Sequence, residues 1–557
     1  MRKVTPQKLA KAPFPLPDVV TKVVPAPTEG WDAISPLASM DPKRAPVLTN
    51  WVPRPGWVEL RAGFTPWSWI GTDSAVETLL IYRPPGGSQK MFAAADASIF
   101  DVSTLGQHDL AVSGLTSSRW QYVNFTPAGA ASVIQLCNGI DTLRQYDGTS
   151  WTIPSITGLP SGLNTTDIFN IYAQKRRLWY ILGNGTGGRS TTVAFMPTDA
   201  VSGAIAGTLD LGALWTKGGY LVSMSDWTVD GGNGPQDYAV FISSRGQVSI
   251  YSGTDPTNAN AWALVGTFDL SPPISDRCFT KVGSDVAIIT QQGVIPLSQA
   301  LPFDPSSDRS VAITARIQNA MMEYSQQAMN NFGWQVISYP AQQLAIINVP
   351  LTTNVQQVQL VMNALTGAWC LFTGWNANNF EIFNDDLYFG GNDGTVNLAY
   401  SGGLDLATPI AADMQCAFNY FDDPGRTKRM TMVQPLMVAG GNITPTLAVD
   451  EDFAISTAEA PITILVGGAV WDVAIWDEAV WPAGSIVVKN WQSVEAIGHA
   501  LAIHMTVNVT TTTQYVASGE FDVGQFDSAV FDQGLSNIPP QLQVNAFNAI
   551  MEMGGFV

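Results

Sequence analysis

Short apolar runs alternate with turns of Gly, Asn and Asp along most of this chain, and one phrase returns six times between Met91 and Gly403. The copies are MFAAADASIFDV from Met91, VIQLCNGIDTLRQYDG from Val133, LWYILGNGTGGRSTTVAF from Leu178, AVFISSRGQVSIYSG from Ala239, VAIITQQGVIPLS from Val286 and LYFGGNDGTVNLAYSGG from Leu387. Each joins two apolar runs across a turn signal, the pattern of a β-hairpin. Successive copies start about 40 to 60 residues apart, with one wider gap before the last, a period left by stacked or radially arranged β units. That gap holds VQLVMNALTGAWCLFTGW, whose Thr366-Gly367 turn makes a seventh hairpin. Further strands are expected at ETLLIY near Leu79, RWQYVNF near Trp120 and LAIINVP near Leu344. WVPRPGWVELRAGF opens the array with a Pro-Gly turn before the first long strand.

Three stretches break the pattern. Residues 1–50 are Pro-rich and aperiodic; because Pro blocks ladder donors and helix interiors, they are expected as an extended N-terminal arm lying on a neighbouring subunit. Between Asp308 and Met329, the residues Val311, Ile313, Ala315, Ile317, Ala320, Met321 and Tyr324 favour one helix that projects from or braces the array. Asp308 would be its N-cap, and Asn330, Asn331 and Gly333 its stop. After Leu406 strands continue, but two five-residue repeats appear: Trp471, Trp476 and Trp481, then Phe521, Phe526 and Phe531. A period of five fits neither a strand nor a helix face, so short strands broken by Asp-anchored turns are expected there. The predicted fold class is all-β. A β-propeller-like array of about six to seven hairpin units spans residues 51–405, with a helical insertion at about 308–329. A C-terminal β-rich domain, expected as a sandwich, tip or docking domain, spans 406–557.

Composition narrows the function classes. Charged residues are 13% of the 557, half the usual share of about 25%, so much of the surface must be neutral and polar, as suits packing against other subunits. The net charge of −19 argues against nucleic-acid binding through a basic footprint. An acidic wall would instead let DNA pass without sticking. Cys137, Cys278, Cys370 and Cys416 show no paired spacing, so neither a zinc knuckle nor a disulfide scaffold is indicated. The start MRKVTPQKLAKAPFPLP lacks an apolar core of signal-peptide length, and no run approaches about 18 apolar residues. The chain is therefore expected to be made in the cytoplasm and not to span a membrane.

Few motifs offer chemistry. Gly183, Gly185 and Gly188 have the spacing of a dinucleotide fingerprint, but RSTTVAF follows as a strand and supplies no helix N-terminus for a pyrophosphate. A glycine-rich hairpin loop is the better reading. YDGTSW from Tyr146 and SGTDPTNANAW from Ser252 loosely resemble the Asp-box turns of sialidase-like propellers, in which Asp binds backbone amides and Trp packs between blades. Asp230, Asn233 and Asp237, or Asn392 and Asp393, lack the ligand spacing of a calcium loop and read as solvated turns. His108, His499 and His504 are the only histidines, and none fits metal ligation or an HExxH helix. No catalytic, cofactor-binding or metal site is assigned, and no enzyme is expected.

The phrases WVPRPGWVELRAGF, ETLLIY, KMFAAADASIFDV, GLTSSRWQYVNF, CNGIDTLRQYDGTSW, LGALWTKGGYL, VFISSRGQVSIYSGTDP, WALVGTFDL and VMNALTGAWCLFTGW occur in this order from about Trp51 to Gly403. This region resembles the tail nozzle, or tail-hub, proteins of short-tailed bacteriophages (podoviruses), some of them DNA-stabilisation proteins. The resemblance implies a propeller-like platform assembled as a ring, a homo-hexamer, in the virion tail. Its partners would be portal-side or adaptor proteins, fibres or spikes, and double-stranded DNA passing transiently through an acidic lumen at ejection. Two alternatives remain: a carbohydrate-active or glycan-binding propeller of tailspike type, and a portal-proximal adaptor or gate for which the 308–329 helix would be the docking element.

Overall fold

A computed structural model describes residues 18–230, 235–258, 260–282, 285–300, 312–440, 445–454, 460–461, 486–509, 513–517, 533–537 and 541–556. Six small antiparallel sheets are arranged as the blades of a β-propeller. Blade 1 is formed by Thr78–Tyr82, Lys90–Ala95, Ser98–Asp101 and Asp109–Val112. Blade 2 is Gln121–Phe125, Val133–Cys137, Arg144–Tyr146 and Trp151–Thr152. Blade 3 is Ile168–Gln174, Arg177–Gly183, Arg189–Phe195 and Gly207–Asp210. Blade 4 is Leu221–Asp230, Pro235–Ser243, Gln247–Gly253 and Trp262–Asp269. Blade 5 has three strands, Phe279–Val282, Asp285–Thr290 and Gly293–Pro296.

Blade 6 takes Asn379–Phe383, Asp386–Gly390 and Thr395–Ala399, and its outer strand is Phe64–Trp69 from the start of the array. The ring is thus closed by pairing its first strand with its last blade, which leaves no open end to the circle. All six repeated phrases fall on the second and third strands of their blades. The alternation of the phrase is therefore the pleat of a buried hairpin. The seventh hairpin, Gln356–Asn363 with Trp369–Phe372, belongs to a meander that begins at Gln335–Tyr339 and is inserted between blades 5 and 6. The Gln335 side chain ties that meander to blade 6 by donating to Phe380 O at 2.9 Å and accepting from Phe380 N at 3.0 Å.

The helix of this insertion runs Gln318–Ala328, and Asp308 lies outside the described residues. It braces the array: Ile317, Met321 and Ala328 pack with Val294, Ile347 and Leu360 of the neighbouring strands. The Trp334 indole donates to Ala328 O at 2.8 Å and closes the helix end.

Beyond the propeller lie two larger sheets. One pairs the long strands Arg426–Gly440 and Gln541–Phe556, with Asp18–Pro25 added to the latter. The other continues from Trp369–Phe372 through Val47–Thr49, Ile410–Gln415 and Leu501–Val509 to Pro445–Glu451. Residues 18–50, expected as an arm, thus contain strands that join both of these sheets. Pro25 ends one of those strands, where a missing N–H costs least. The two aromatic five-residue repeats, Trp471 to Trp481 and Phe521 to Phe531, lie outside the described residues.

One core runs through both regions, from Trp375, Phe380 and Phe389 of the propeller side to Met430, Met505 and Met551 of the sheets. At its centre Arg61 is fully buried. All five of its N–H donors are satisfied. Nε donates to Asn50 Oδ1 at 2.8 Å, and the two terminal nitrogens to Asp405 Oδ1 and Oδ2 at 2.9 and 2.7 Å. The remaining two go to Ala62 O and Thr373 O. The guanidinium also stacks over Phe372 and Trp375. The carboxylate approaches so closely that a Cβ on Gly374, whose φ is +98°, would lie 2.3 Å from Asp405 Oδ2.

Candidate functional site: a cavity on one face of the propeller

Hairpin turns and the connections leading into the innermost strands converge on one face of the propeller. There they line a half-open cavity of about 540 Å³, formed mainly by blades 2 to 5 and by the segment after the helix. Three arginines and one carboxylate, Asp276, carry the charge of its wall. In a chain of net charge −19 this local excess of cation is the reverse of the overall balance.

Each charged group is held by its local structure. Asp276 and Arg277 sit on the connection from blade 4 to blade 5, where the Ser275 hydroxyl accepts from Arg277 N at 3.1 Å and the buried Cys278 anchors the chain. Arg189 opens the third strand of blade 3 and meets Asp276 through two 2.6 Å bonds, a bidentate fork-to-carboxylate pair. Its guanidinium also lies over Phe169 at 4.8 Å and Tyr220 at 5.5 Å. Arg119, on the connection into blade 2, pairs with Glu77 at 2.9 Å.

Phe332 carries two cations, with Arg119 at 4.6 Å and Arg277 at 5.6 Å from its ring centre. The ring is held there because Asn331 donates to Pro350 O and Leu351 O, and Asn348 donates to Gly333 O.

Arg277 stands apart from the other two arginines. Its Nη2 donates to Trp120 O at 2.9 Å and to Thr78 Oγ1 at 3.4 Å, and no carboxylate among the described residues lies in salt-bridge contact with it. Burial lowers its pKa, against the pull of Glu381, Tyr122 and Asp276. Glu381 and Tyr122 face each other from the innermost strands of blades 6 and 2. Burial raises the pKa of the Glu381 carboxyl, opposed by Arg83 at 3.7 Å, and pushes the Tyr122 hydroxyl well above its ordinary value.

The candidates read from sequence fall elsewhere. The Gly183 to Gly188 stretch is a hairpin loop between strands, in which the Asn184 side-chain Oδ1 accepts from Thr186 N and Gly188 N at 3.0 Å. Asp147 accepts from the Thr149 hydroxyl at 2.7 Å and from Ser150 N and Thr149 N at 2.8 Å, and these bonds, the hydroxyl's first, hold its carboxyl down to about 2. Trp151 packs on Phe92 and Tyr146. In the second box-like turn Asp255 accepts from Thr257 N, and Trp262 stacks between Tyr251 and Trp179 at 5.5 and 5.6 Å. Asp393 accepts from the Thr395 hydroxyl. All are turn anchors.

Asp237 accepts from Thr228, and Asn233 lies outside the described residues. His108 is exposed and His499 lies 3.7 Å from Asp452. His504, on the strand Leu501–Val509, sits between Asp413 at 2.6 Å and Asp450 at 3.2 Å. Burial disfavours its charge, but the two carboxylates outweigh that cost and raise its pKa to about 9. The four cysteines are buried and unpaired, and burial pushes each thiol upward. No group of three His, Cys, Asp or Glu suited to a metal occurs among the described residues, and no described helix is long and apolar enough to cross a membrane.

Sequence reasoning missed the arginines because each is an isolated residue, two on connections between blades and one at the start of a strand. A signal was present: Arg119 and Arg277 each stand two residues before the innermost strand of their blade.

The fold defines a six-bladed β-propeller with two larger β-sheets joined to it through a shared core. No protein-family model matches the chain, and no curated protein matches it. Solved structures similar in fold include BBS1N in complex with ARL6DN, at 9% identity and a TM-score of 0.37 over 62% of this chain and 97% of that one. Sqt1 of Saccharomyces cerevisiae is 10% identical with a TM-score of 0.32, over 60% of this chain and 99% of that one. An exo-β-1,3-galactanase of Phanerochaete chrysosporium with bound β-1,3-galactotriose is 8% identical with a TM-score of 0.23, over 88% of this chain and 100% of that one.

Proposed function

We propose that this chain is a virion structural protein, a tail nozzle subunit of a short-tailed phage that assembles into a closed ring around the genome's exit path. The observation that carries the reading is the strand Asp18–Pro25. Among the described residues it pairs on one side only, with Gln541–Phe556, and it exposes Val19 at 58% and Val23 at 65%. An apolar edge strand left open invites pairing with another chain, and stable proteins cover such an edge. A neighbouring subunit in a ring would cover it.

The continuous core around Arg61 supports the same reading, since it makes propeller and larger sheets one stiff unit suited to bearing load. The helix Gln318–Ala328, the docking element of the adaptor alternative, packs one face into the array as a brace, which favours the nozzle reading. The glycosidase alternative needs two carboxylates across a cleft. Among the cavity's described lining residues the one carboxylate, Asp276, is locked by Arg189.

Electron microscopy of the purified protein tests the proposal. Closed rings with acidic side chains on the inner wall are expected, and Val19→Asp with Val23→Asp should shift them to single subunits. A wild-type protein that stays monomeric at high concentration, or one that releases reducing sugar from host polysaccharide, overturns it.

A further inference from the structure

We infer that the two larger sheets are latched at one end by a monovalent-cation site built from main-chain oxygens, which the chain fills with the tethered ammonium of Lys428. A primary alkylammonium or a potassium ion is the free ligand this site would take in its place. The inference does not depend on the ring reading, since the site is built within one chain.

Lys428, in the strand Arg426–Gly440, is fully buried. Its Nζ donates to Arg426 O at 2.8 Å, to His499 O at 2.9 Å and to Asp423 O. An ammonium has three donors and no acceptor, so three carbonyls satisfy it completely. No carboxylate among the described residues lies in salt-bridge contact with it; Asp423 and Asp452, which act on it from further off, are turned to Arg426 and His499, each 3.7 Å away. A buried charge is costly unless it is fully bonded, and here peptide oxygens alone do the bonding. Rings of carbonyls replace the hydration shell of a monovalent cation in the same way. Oxygen distances of 2.8 and 2.9 Å are too long for Mg²⁺ or Ca²⁺, which need about 2.0–2.6 Å, and no carboxylate joins the cage to balance a second charge.

The position of the cage gives it a role. Asp423 lies on the connection from Ile410–Gln415 of one sheet to Arg426–Gly440 of the other, and His499 on the connection from Gln492–Gly498 back to Leu501–Val509. One ammonium therefore pins both crossings between the sheets. On the first crossing Phe421 and Asp422 have φ of +50° and +67°, a left-handed backbone that persists in residues with a Cβ only where the surroundings fix it. On the second, His499 N and Ala500 N donate to Asp452 Oδ1 at 2.7 and 2.9 Å, which sets the direction of the His499 carbonyl.

Two measurements on the full chain test the site. Lysine acylation of the folded wild type, read by mass spectrometry, should modify Lys428 on the order of a hundredfold more slowly than Lys281, whose side chain is 62% exposed. Unfolding midpoints are then compared in tetramethylammonium, potassium and propylammonium chloride at equal ionic strength. The wild type should not distinguish the three salts. Lys428→Ala should fall by on the order of a few degrees in tetramethylammonium, which offers no N–H donor, and recover in potassium or propylammonium. Lys428→Met, which fills the space of the stem without a charge, should fall and recover in none. If Lys428→Ala does not fold in tetramethylammonium, its refolding in potassium or propylammonium is the same readout. Acylation of Lys428 at the rate of Lys281, a Lys428→Met as stable as the wild type, or a Lys428→Ala that all three salts or none restore would each overturn the inference.

Discussion

The propeller blades are antiparallel and the two larger sheets beyond them mainly so, yet they are assembled from opposite kinds of contact. In the propeller nearly every strand pairs with its neighbour in sequence, as in Val133–Cys137 with Arg144–Tyr146. In the larger sheets the ends of the chain meet: Asp18 pairs with Met553, and Val47 with Gln415. Loop closure costs more for distant partners, so the larger sheets must be stabilised by their finished core while each blade can form from its own hairpins. The Arg61–Asp405 pair joins the two, linking residues 344 apart in sequence.

Breaking that junction should have the largest effect. Asp405→Ala leaves the Arg61 guanidinium buried without its carboxylate, and removal of one partner of such a pair costs about 3–5 kcal/mol. A single denaturant transition shifted by this amount is expected, with faster amide exchange in both regions; exchange raised in one region alone would mean the two are separable.

The next effect is confined to the larger sheets and depends on pH. His504 has its pKa raised to about 9 from the ordinary histidine value of 6.5. Its stabilisation is therefore fully present below about pH 6.5 and is lost as pH rises through 9, a contribution on the order of 1–2 kcal/mol after allowing for solvent around Asp413. His504→Gln should flatten the stability profile between pH 6.5 and 9, measured by denaturant unfolding across that range, and leave exchange in the blades unchanged.

The smallest effect belongs to a single blade. Asp147→Ala removes the acceptor for two turn amides and should cost about 1 kcal/mol. Exchange should rise around Tyr146 to Trp151 and nowhere in the larger sheets. Equal loosening of all blades would show that the propeller is more cooperative than its local pairing implies.

Legibility followed the same division. The hairpins could be read because the two strands and their turn lie within about twenty residues, and alternation with a Gly, Asn or Asp turn suffices to specify them. The strand Asp18–Pro25 was hidden among prolines, because what makes it a strand is the row of donors and acceptors on Gln541–Phe556, a partner at the other end of the chain. The cavity was illegible for a related reason. Arg119, Arg189 and Arg277 are unremarkable in sequence, and only the packing of successive blades side by side brings them to one face.

The sequence by itself determined the repeated β-hairpins, their turn chemistry and the acidic balance, because pleat, turn and net charge are properties of neighbouring residues or of plain composition. Tertiary structure alone decided that the chain's two ends would meet in one sheet. It also decided that Arg61 would be fully satisfied in the core and that Arg277 would reach the cavity with donors to spare. Those outcomes depend on distances between residues far apart in sequence, which are set only when the ring closes and the core packs.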